Sequence, residues 1–128
     1  MTFGDLSNVD LEINGLKWWV SCVPEDNEGL KPNTEGESVF GRTFYKTCHI
    51  YMDKDLQPTL FRQILLHELL HAFSFSYGVH LELVDEEVIA DFFGAHADEM
   101  VKTANQIIKK FKDKGDSDAD EGRNQTVH

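Results

Sequence analysis

The chain carries His67-Glu68-Leu69-Leu70-His71, an H-E-x-x-H pattern, inside a stretch that otherwise has the composition of a buried helix. Two histidines four residues apart lie one turn apart on the same helical face, so both imidazoles can reach one metal ion. Glu68 follows the first histidine and can accept a proton from a water molecule in the same site. Because these polar side chains are costly to bury unless they are used, the pattern predicts two zinc ligands and a general base within one turn.

Two long helices are predicted around this motif. The first begins after an N-cap at Thr59 and ends near Tyr77, where the following glycine can terminate it. The second begins after an N-cap at Asp85 and ends near Phe111, because apolar residues recur between them at helical spacing. The motif therefore lies in the middle of the first helix.

The half of the chain before the motif has the composition of strands. Leu16–Val23 is rich in β-forming residues, and a turn at Asn14-Gly15 pairs it with Leu11–Ile13. Thr43–Met52 predicts a further strand, in which Tyr45, His49 and Tyr51 share one face because side chains alternate along a strand. An extended peptide could pair with this strand if it borders the site.

These elements predict an α+β fold, a small antiparallel sheet followed by two helices. Residues 1–10 are expected to be a loose lead-in, and residues 24–38 a long exposed loop. After Lys112 the composition shifts to Asp, Gly, Ser and Asn, which predicts a disordered tail over 113–128. A single domain is therefore expected over 1–112.

The charge of the chain limits its partners. The formal net charge is -11 and the pI is about 4.8, which argues against nucleic acid and against an anionic membrane surface. No secretory signal pattern and no membrane-spanning run is present, and Cys22 and Cys48 form no C-x-x-C pair. A cytoplasmic, monomeric protein with reduced thiols is the expectation, and the acidic charge also leaves open a decoy that mimics DNA.

A catalytic zinc ion takes three protein ligands and keeps one position for water. His67 and His71 supply two, so the third must come from elsewhere in the chain. The candidates downstream are His80, Glu82, Asp85, Glu86, Glu87, Asp91 and His96.

One of these candidates lies in a pattern that resembles a known group. Residues 87–91, EVIAD, resemble the E-x-x-x-D pattern of the gluzincins, and the H-E-x-x-H segment resembles their active-site helix. The resemblance implies that Glu87 is the third zinc ligand and that Asp91 orients a zinc-bound histidine. Glu86 remains an alternative because it lies nearer the apolar stripe of the second helix, and His80 and His96 also remain.

In size the chain resembles the small ImmA/IrrE-type metallopeptidases of phages and mobile elements. The resemblance covers residues 43–101. It implies a zinc peptidase, encoded by a phage or mobile element, that hydrolyses a peptide bond in one specific protein, with Glu68 as the general base. The chain departs from that group because no helix-turn-helix or sensor segment is evident. A zinc-binding module that grips a host protein without turnover is the alternative.

The same resemblance implies a further donor for the oxyanion that develops during hydrolysis, usually a tyrosine or histidine. Tyr77, His80 and His49 are the candidates, and the sequence does not choose among them.

Overall fold

A computed structural model describes residues 7–31, 39–80 and 85–123. These residues form a four-stranded sheet and two long helices. The predicted α+β class is therefore confirmed. The lead-in over residues 1–6, the loop over 32–38 and the connection over 81–84 lie outside the described residues.

The first two strands form the predicted hairpin. Strand β1 (Ser7–Ile13) pairs antiparallel with β2 (Leu16–Val23). The turn between them has φ 48° at Asn14 and φ 85° at Gly15, the left-handed geometry that a two-residue hairpin turn needs and that Asn-Gly adopts readily. β1 begins at Ser7, so part of the predicted lead-in belongs to the sheet.

The predicted strand Thr43–Met52 is wrong, because the structure divides it into two. Strand β3 (Gly41–Phe44) and strand β4 (His49–Asp53) are antiparallel to each other. Between them the chain turns, and Cys48 has φ 51°. A left-handed cysteine is uncommon, and the sequence carries no glycine there to indicate it.

The strand order is β1-β2-β4-β3. Since β2 and β4 are parallel while the other pairs are antiparallel, the sheet is mixed, and the prediction of an antiparallel sheet is wrong. A parallel pair needs a crossover connection, which here runs through a short 3-10 helix at Glu28–Leu30 and through β3. This topology leaves β3 at an edge of the sheet.

Helix α1 (Pro58–Ser76) contains the H-E-x-x-H segment. Its N-cap is Gln57, whose side-chain oxygen accepts a hydrogen bond from Leu60 N at 2.9 Å, so the predicted cap at Thr59 is two residues late. Proline at the first helical position has no N–H to leave unpaired. Gly78, with φ 78°, follows the helix end as predicted.

Helix α2 (Glu86–Arg123) begins after Asp85, whose carboxylate accepts a hydrogen bond from Val88 N at 3.1 Å. This confirms the predicted N-cap. The helix continues to Arg123, so the end predicted near Phe111 is too early, and the segment from Asp113 begins as helix and not as the expected disordered tail.

The core lies between one face of the sheet and the two helices. Every second residue of β2 and β4 faces the helices, and every third or fourth residue of α1 and α2 faces the sheet, because side chains repeat every two residues along a strand and every 3.6 residues along a helix. Trp18 is fully buried and its indole N–H donates to Ser76 Oγ at 2.8 Å. The largest fully buried side chains are Trp18, Phe61, Phe73, Phe111, Ile13, Leu30, Ile50, Met52, Leu65, Leu69, Met100 and Ile107.

The two helices lie antiparallel. The start of α1 meets the C-terminal half of α2 where Arg62 bonds Asn105, and the end of α1 meets the start of α2 where Tyr77 packs against Phe92. Neither helix, over its described residues, contains an apolar stretch of the length needed to cross a bilayer.

Phe111 is the last buried side chain of α2 among those described, which end at Lys114. We expect Phe111→Ala to lower the free energy of unfolding by about 3–5 kcal/mol, because it leaves a cavity in a packed core. Truncation after Lys114 should change the free energy of unfolding little, since the truncation removes none of these buried side chains. Urea unfolding followed by circular dichroism measures both, with Val101→Ala on the exposed face as the control. Equal destabilisation by the truncation and by Phe111→Ala would contradict the prediction that α2 contributes to the core up to Phe111 and not beyond Lys114.

Candidate metal and catalytic site

Helix α1 presents the three motif side chains on one side. The rings of His67 and His71 are 5.2 Å apart between centroids. Glu68 lies beside His67 with 7 % of its surface exposed, and its Oε2 is 3.9 Å from His67 Nε2. His67 is exposed and His71 is half-buried. The helical spacing therefore brings both imidazoles and the carboxylate together, as the sequence predicted.

Strand β3 holds the carboxylate. Thr43 Oγ1 donates a hydrogen bond to Glu68 Oε1 at 2.7 Å and lies 3.3 Å from the Glu68 carbonyl oxygen. Gly41 lies two residues before Thr43 on the same face of β3. A Cβ added at Gly41 would lie 2.7 Å from Ile64 Cγ2 and 3.2 Å from Glu68 Cγ. Only glycine lets the strand approach α1 this closely. Neither residue is predicted from the sequence to belong to the site, because contacts between a strand and a helix that are distant in the chain leave no local pattern.

Tyr45 lies beside the second histidine. Its hydroxyl is 3.3 Å from His71 Nδ1, and its ring stacks on Phe75 at 4.9 Å. If His71 carries its proton on Nδ1 and donates it to this hydroxyl, its Nε2 keeps a free lone pair for a metal. The predicted strand placed Tyr45 on the face of His49 and Tyr51. That prediction is wrong because Tyr45 begins the turn before β4, where strand alternation stops.

The motif opens into a cleft of about 300 Å³ beside the sheet edge. Phe40 O accepts a hydrogen bond from Asp53 N at 2.9 Å, so alternate residues of β3 from Phe40 turn their backbone groups toward β4. Gly41 and Thr43 therefore turn theirs toward the free edge. The cleft is lined by Val39, Gly41, Arg42, Thr43, Tyr45, Glu68 and His71.

The structure does not bring the predicted third ligand to the histidines. Glu87 and Asp91 are exposed on α2, whereas Phe92 is buried and contacts Tyr77 at the end of α1. At about 100° per residue, Glu87 lies about 140° around α2 from Phe92. Among the side chains that the structure describes, no three or more of His, Cys, Asp and Glu are grouped to hold a metal ion.

The other candidate ligands are placed as follows. The side chain of Glu86 and all of Glu82 lie outside what the structure describes. His80 is exposed. His96 packs against Tyr77 and Phe92, each with ring centroids 4.4 Å away, so it serves as an aromatic core residue.

Two of the oxyanion candidates are engaged elsewhere. His49 lies on the sheet face opposite α1, where its Nε2 is 2.6 Å from Ser21 Oγ and its ring stacks on Tyr51. Burial lowers the pKa of His49, which favours the neutral ring. Tyr77 belongs to the aromatic cluster around His96. Tyr45, which the sequence did not single out for this role, is the tyrosine whose hydroxyl contacts the motif in the described structure.

The two cysteines form no disulfide. Burial raises the pKa of the Cys22 thiol and of the Cys48 thiol, so both favour the neutral form, which is unreactive. Cys22 is fully buried, as expected of a structural thiol, and Cys48 is half-buried in the turn before β4.

Comparison of the chain with protein-family models, with curated proteins and with solved structures finds no match.

The bond between Thr43 and Glu68 makes a testable prediction about stability. Thr43→Val replaces the hydroxyl with a methyl group of similar size and leaves a buried carboxylate without its donor, which should cost about 1–3 kcal/mol of unfolding free energy. Thr43→Ser keeps the hydroxyl and should recover most of that loss. Urea unfolding at neutral pH measures both variants. If Thr43→Val were as stable as the wild type and Thr43→Ser were less stable, the methyl contacts of Thr43 would matter and the hydrogen bond would not.

Proposed function

We propose that the chain is a zinc-dependent metallopeptidase of gluzincin type, which acts in the cytoplasm on a peptide bond of a specific protein. The observation that carries the proposal is the nearly buried carboxylate of Glu68, held by Thr43 on the helix that carries two histidines one turn apart. A carboxylate that served only stability would not need an exposed imidazole on one side and an open cleft on the other. A general base needs both a fixed position and access to its site.

The donor set of the motif fits zinc in part. His67 and His71 lie on one helical face, and if His71 donates its Nδ1–H to the Tyr45 hydroxyl, Nε2 of that ring is left for a metal. We propose Glu87 as the third ligand, with Glu86 as the competing residue, and Asp91 as the carboxylate that orients a histidine. Because Glu87 is exposed on the first turn of α2 and lies about 140° around the helix from Phe92, its use requires that turn to rotate toward α1.

The roles of the protein side chains follow from their positions. A bound zinc ion would lower the pKa of a coordinated water to about 7 and polarise the scissile carbonyl. Glu68 accepts the proton of the attacking water and passes it to the leaving amine. Thr43 holds one oxygen of that carboxylate, so Oε2 remains for the transfer. Tyr45 fixes the orientation of His71.

The substrate would bind as an extended segment along β3. The outward backbone groups of Gly41 and Thr43 can pair with such a segment, which would place its peptide bonds beside Glu68. Phe40 is 51 % exposed and Val39 is 37 % exposed at the start of β3, so apolar side chains of the segment would find contacts there. The proposal therefore favours a flexible segment of a protein over a small molecule.

Metal binding is the first test of this assignment. The purified protein should contain about one zinc ion per chain by mass spectrometry. His71→Ala should abolish binding, and His80→Ala, which removes an exposed histidine outside the motif, should leave it intact. Glu87→Gln and Glu86→Gln compare the two candidate third ligands directly. Chelation should lower the melting temperature without removing the helical circular dichroism, because the core packs without the metal. Full zinc occupancy in His71→Ala would sink the assignment.

The chemistry is tested with Glu68→Gln. Glutamine has the shape of glutamate but cannot accept the proton, so zinc binding and fold should remain while cleavage falls by on the order of 10²–10⁴. The decisive measurement counts new protein termini in the natural host that expresses wild type or the variant. An excess of termini with wild type supports the peptidase. Identical profiles, together with retained zinc, would favour a zinc module that binds a host protein without turnover.

A further inference from the structure

A second cavity, of about 630 Å³, lies at the other end of the helix pair, where α1 begins. It is a groove between the first turn of α1 and the C-terminal half of α2, and none of the motif residues borders it. Its lining residues are Pro58, Thr59, Arg62, Asn105, Ile108, Lys109, Lys112 and Asp113.

The groove concentrates positive charge in an acidic protein. Among the side chains that the structure describes, up to Lys114 on α2, three cations, Arg62, Lys109 and Lys112, line it against one acid, Asp113. The start of α1 adds the partial positive charge of a helix N-terminus. Elsewhere in the chain acids outnumber bases, since the net charge is -11. The balance within the groove is therefore the reverse of the balance of the whole chain.

The cations are available to a ligand. Arg62 uses one of its five N–H donors on Asn105 Oδ1. Lys109 pairs with Asp113 at 2.9 Å, but both side chains are largely exposed, and such a surface pair contributes little. Lys112 is exposed. An oxyanion in the groove could thus meet a guanidinium fork and two ammonium groups without breaking a strong interaction.

The rest of the lining is apolar or neutral. Pro58 and Ile108 provide apolar surface, and the aliphatic stems of the lysines extend it. Thr59 and Asn105 add neutral hydrogen-bonding groups. The volume falls within the range of small-molecule sites, which combine apolar walls with a few polar anchors. An anion alone would leave most of this volume unfilled.

We propose that this groove binds a small phosphate monoester, an apolar body that carries one dianionic phosphate. The net lining charge of three cations and one acid matches a dianion better than a single carboxylate. The planar fork of Arg62 suits two phosphate oxygens, and the apolar body lies on Pro58 and Ile108. This site is separate from the proposed peptidase site and does not depend on it.

The test is an amide NMR titration of the full-length, zinc-supplemented protein with phenyl phosphate. We expect saturable shifts confined to residues 59–62 and 105–113, and weaker binding at higher salt. Inorganic phosphate should shift the same residues with lower affinity, and phenol alone should shift none of them. The absence of saturable shifts up to about 10 mM ligand would overturn the proposal, because a dissociation constant above that concentration is too weak for specific binding. Shifts centred on His67 and His71 would overturn it as well.

Matched variants separate the groove from general charge. Arg62→Gln and Lys112→Gln should each raise the dissociation constant about tenfold, as expected for loss of a charged hydrogen bond. Lys110→Gln removes the same charge from the neighbouring residue, which lines a different cavity beside Asp10 and Leu11. It should leave binding unchanged. Equal weakening by Lys110→Gln and Lys112→Gln would show attraction to overall charge and overturn the site.

Discussion

The close approach of β3 to α1 is the constraint on which the candidate site depends. At Gly41 a Cβ would meet Ile64 at 2.7 Å and Glu68 at 3.2 Å, so the strand and helix pack at a distance that only glycine allows. That distance lets the hydroxyl of Thr43 reach the Glu68 carboxylate at 2.7 Å. A strand held one side chain further away would leave Glu68 either unpaired in the core, which is costly, or turned out to solvent. The contact thus fixes the position of the base and seals one wall of the cleft.

The mixed sheet explains why this strand has a free edge beside the cleft. β4 pairs in parallel with β2, and the chain must cross over before it enters β4. β3 lies within this crossover and pairs with the side of β4 that faces away from β2, so β3 is an edge strand of the sheet. The turn that reverses β3 into β4 carries Tyr45 to His71. Edge strands expose unpaired backbone groups that natural proteins usually protect. Within the described part of the chain, β3 is an edge strand next to a fixed carboxylate, an arrangement suited to binding an extended chain.

What the sequence predicted correctly is local. The Asn14-Gly15 hairpin, the helix that carries His67 and His71, and the cap at Asp85 each follow from residues within a few positions of one another. The predictions that were wrong concern either contacts between residues far apart in the chain or an unusual backbone conformation. Parallel pairing of β2 with β4 depends on residues far apart in the chain, and the left-handed Cys48 that divides the predicted strand has no sequence marker. The E-x-x-x-D pattern correctly indicates that Glu87 and Asp91 share one face of α2. It does not indicate which face of α2 turns toward α1, because that is set by the packing of Phe92 against Tyr77.

Charge is distributed unevenly along the helix pair. No Lys or Arg occurs between Arg62 and Lys102, a stretch that holds eight Asp and Glu residues and both motif histidines. The opposite end of the pair, where α1 begins, carries the cations that line the second cavity. The stretch around the motif is therefore acidic, whereas Arg62, Lys109 and Lys112 gather at the groove. Basic segments would be attracted to the first and anions to the second. Among the described residues that line the cleft, Arg42 is the cation, so a bound segment would meet its positive charge where it passes the edge of β3. The same asymmetry reconciles an anion site with a strongly acidic chain, because local potential, and not net charge, determines what a concave site attracts.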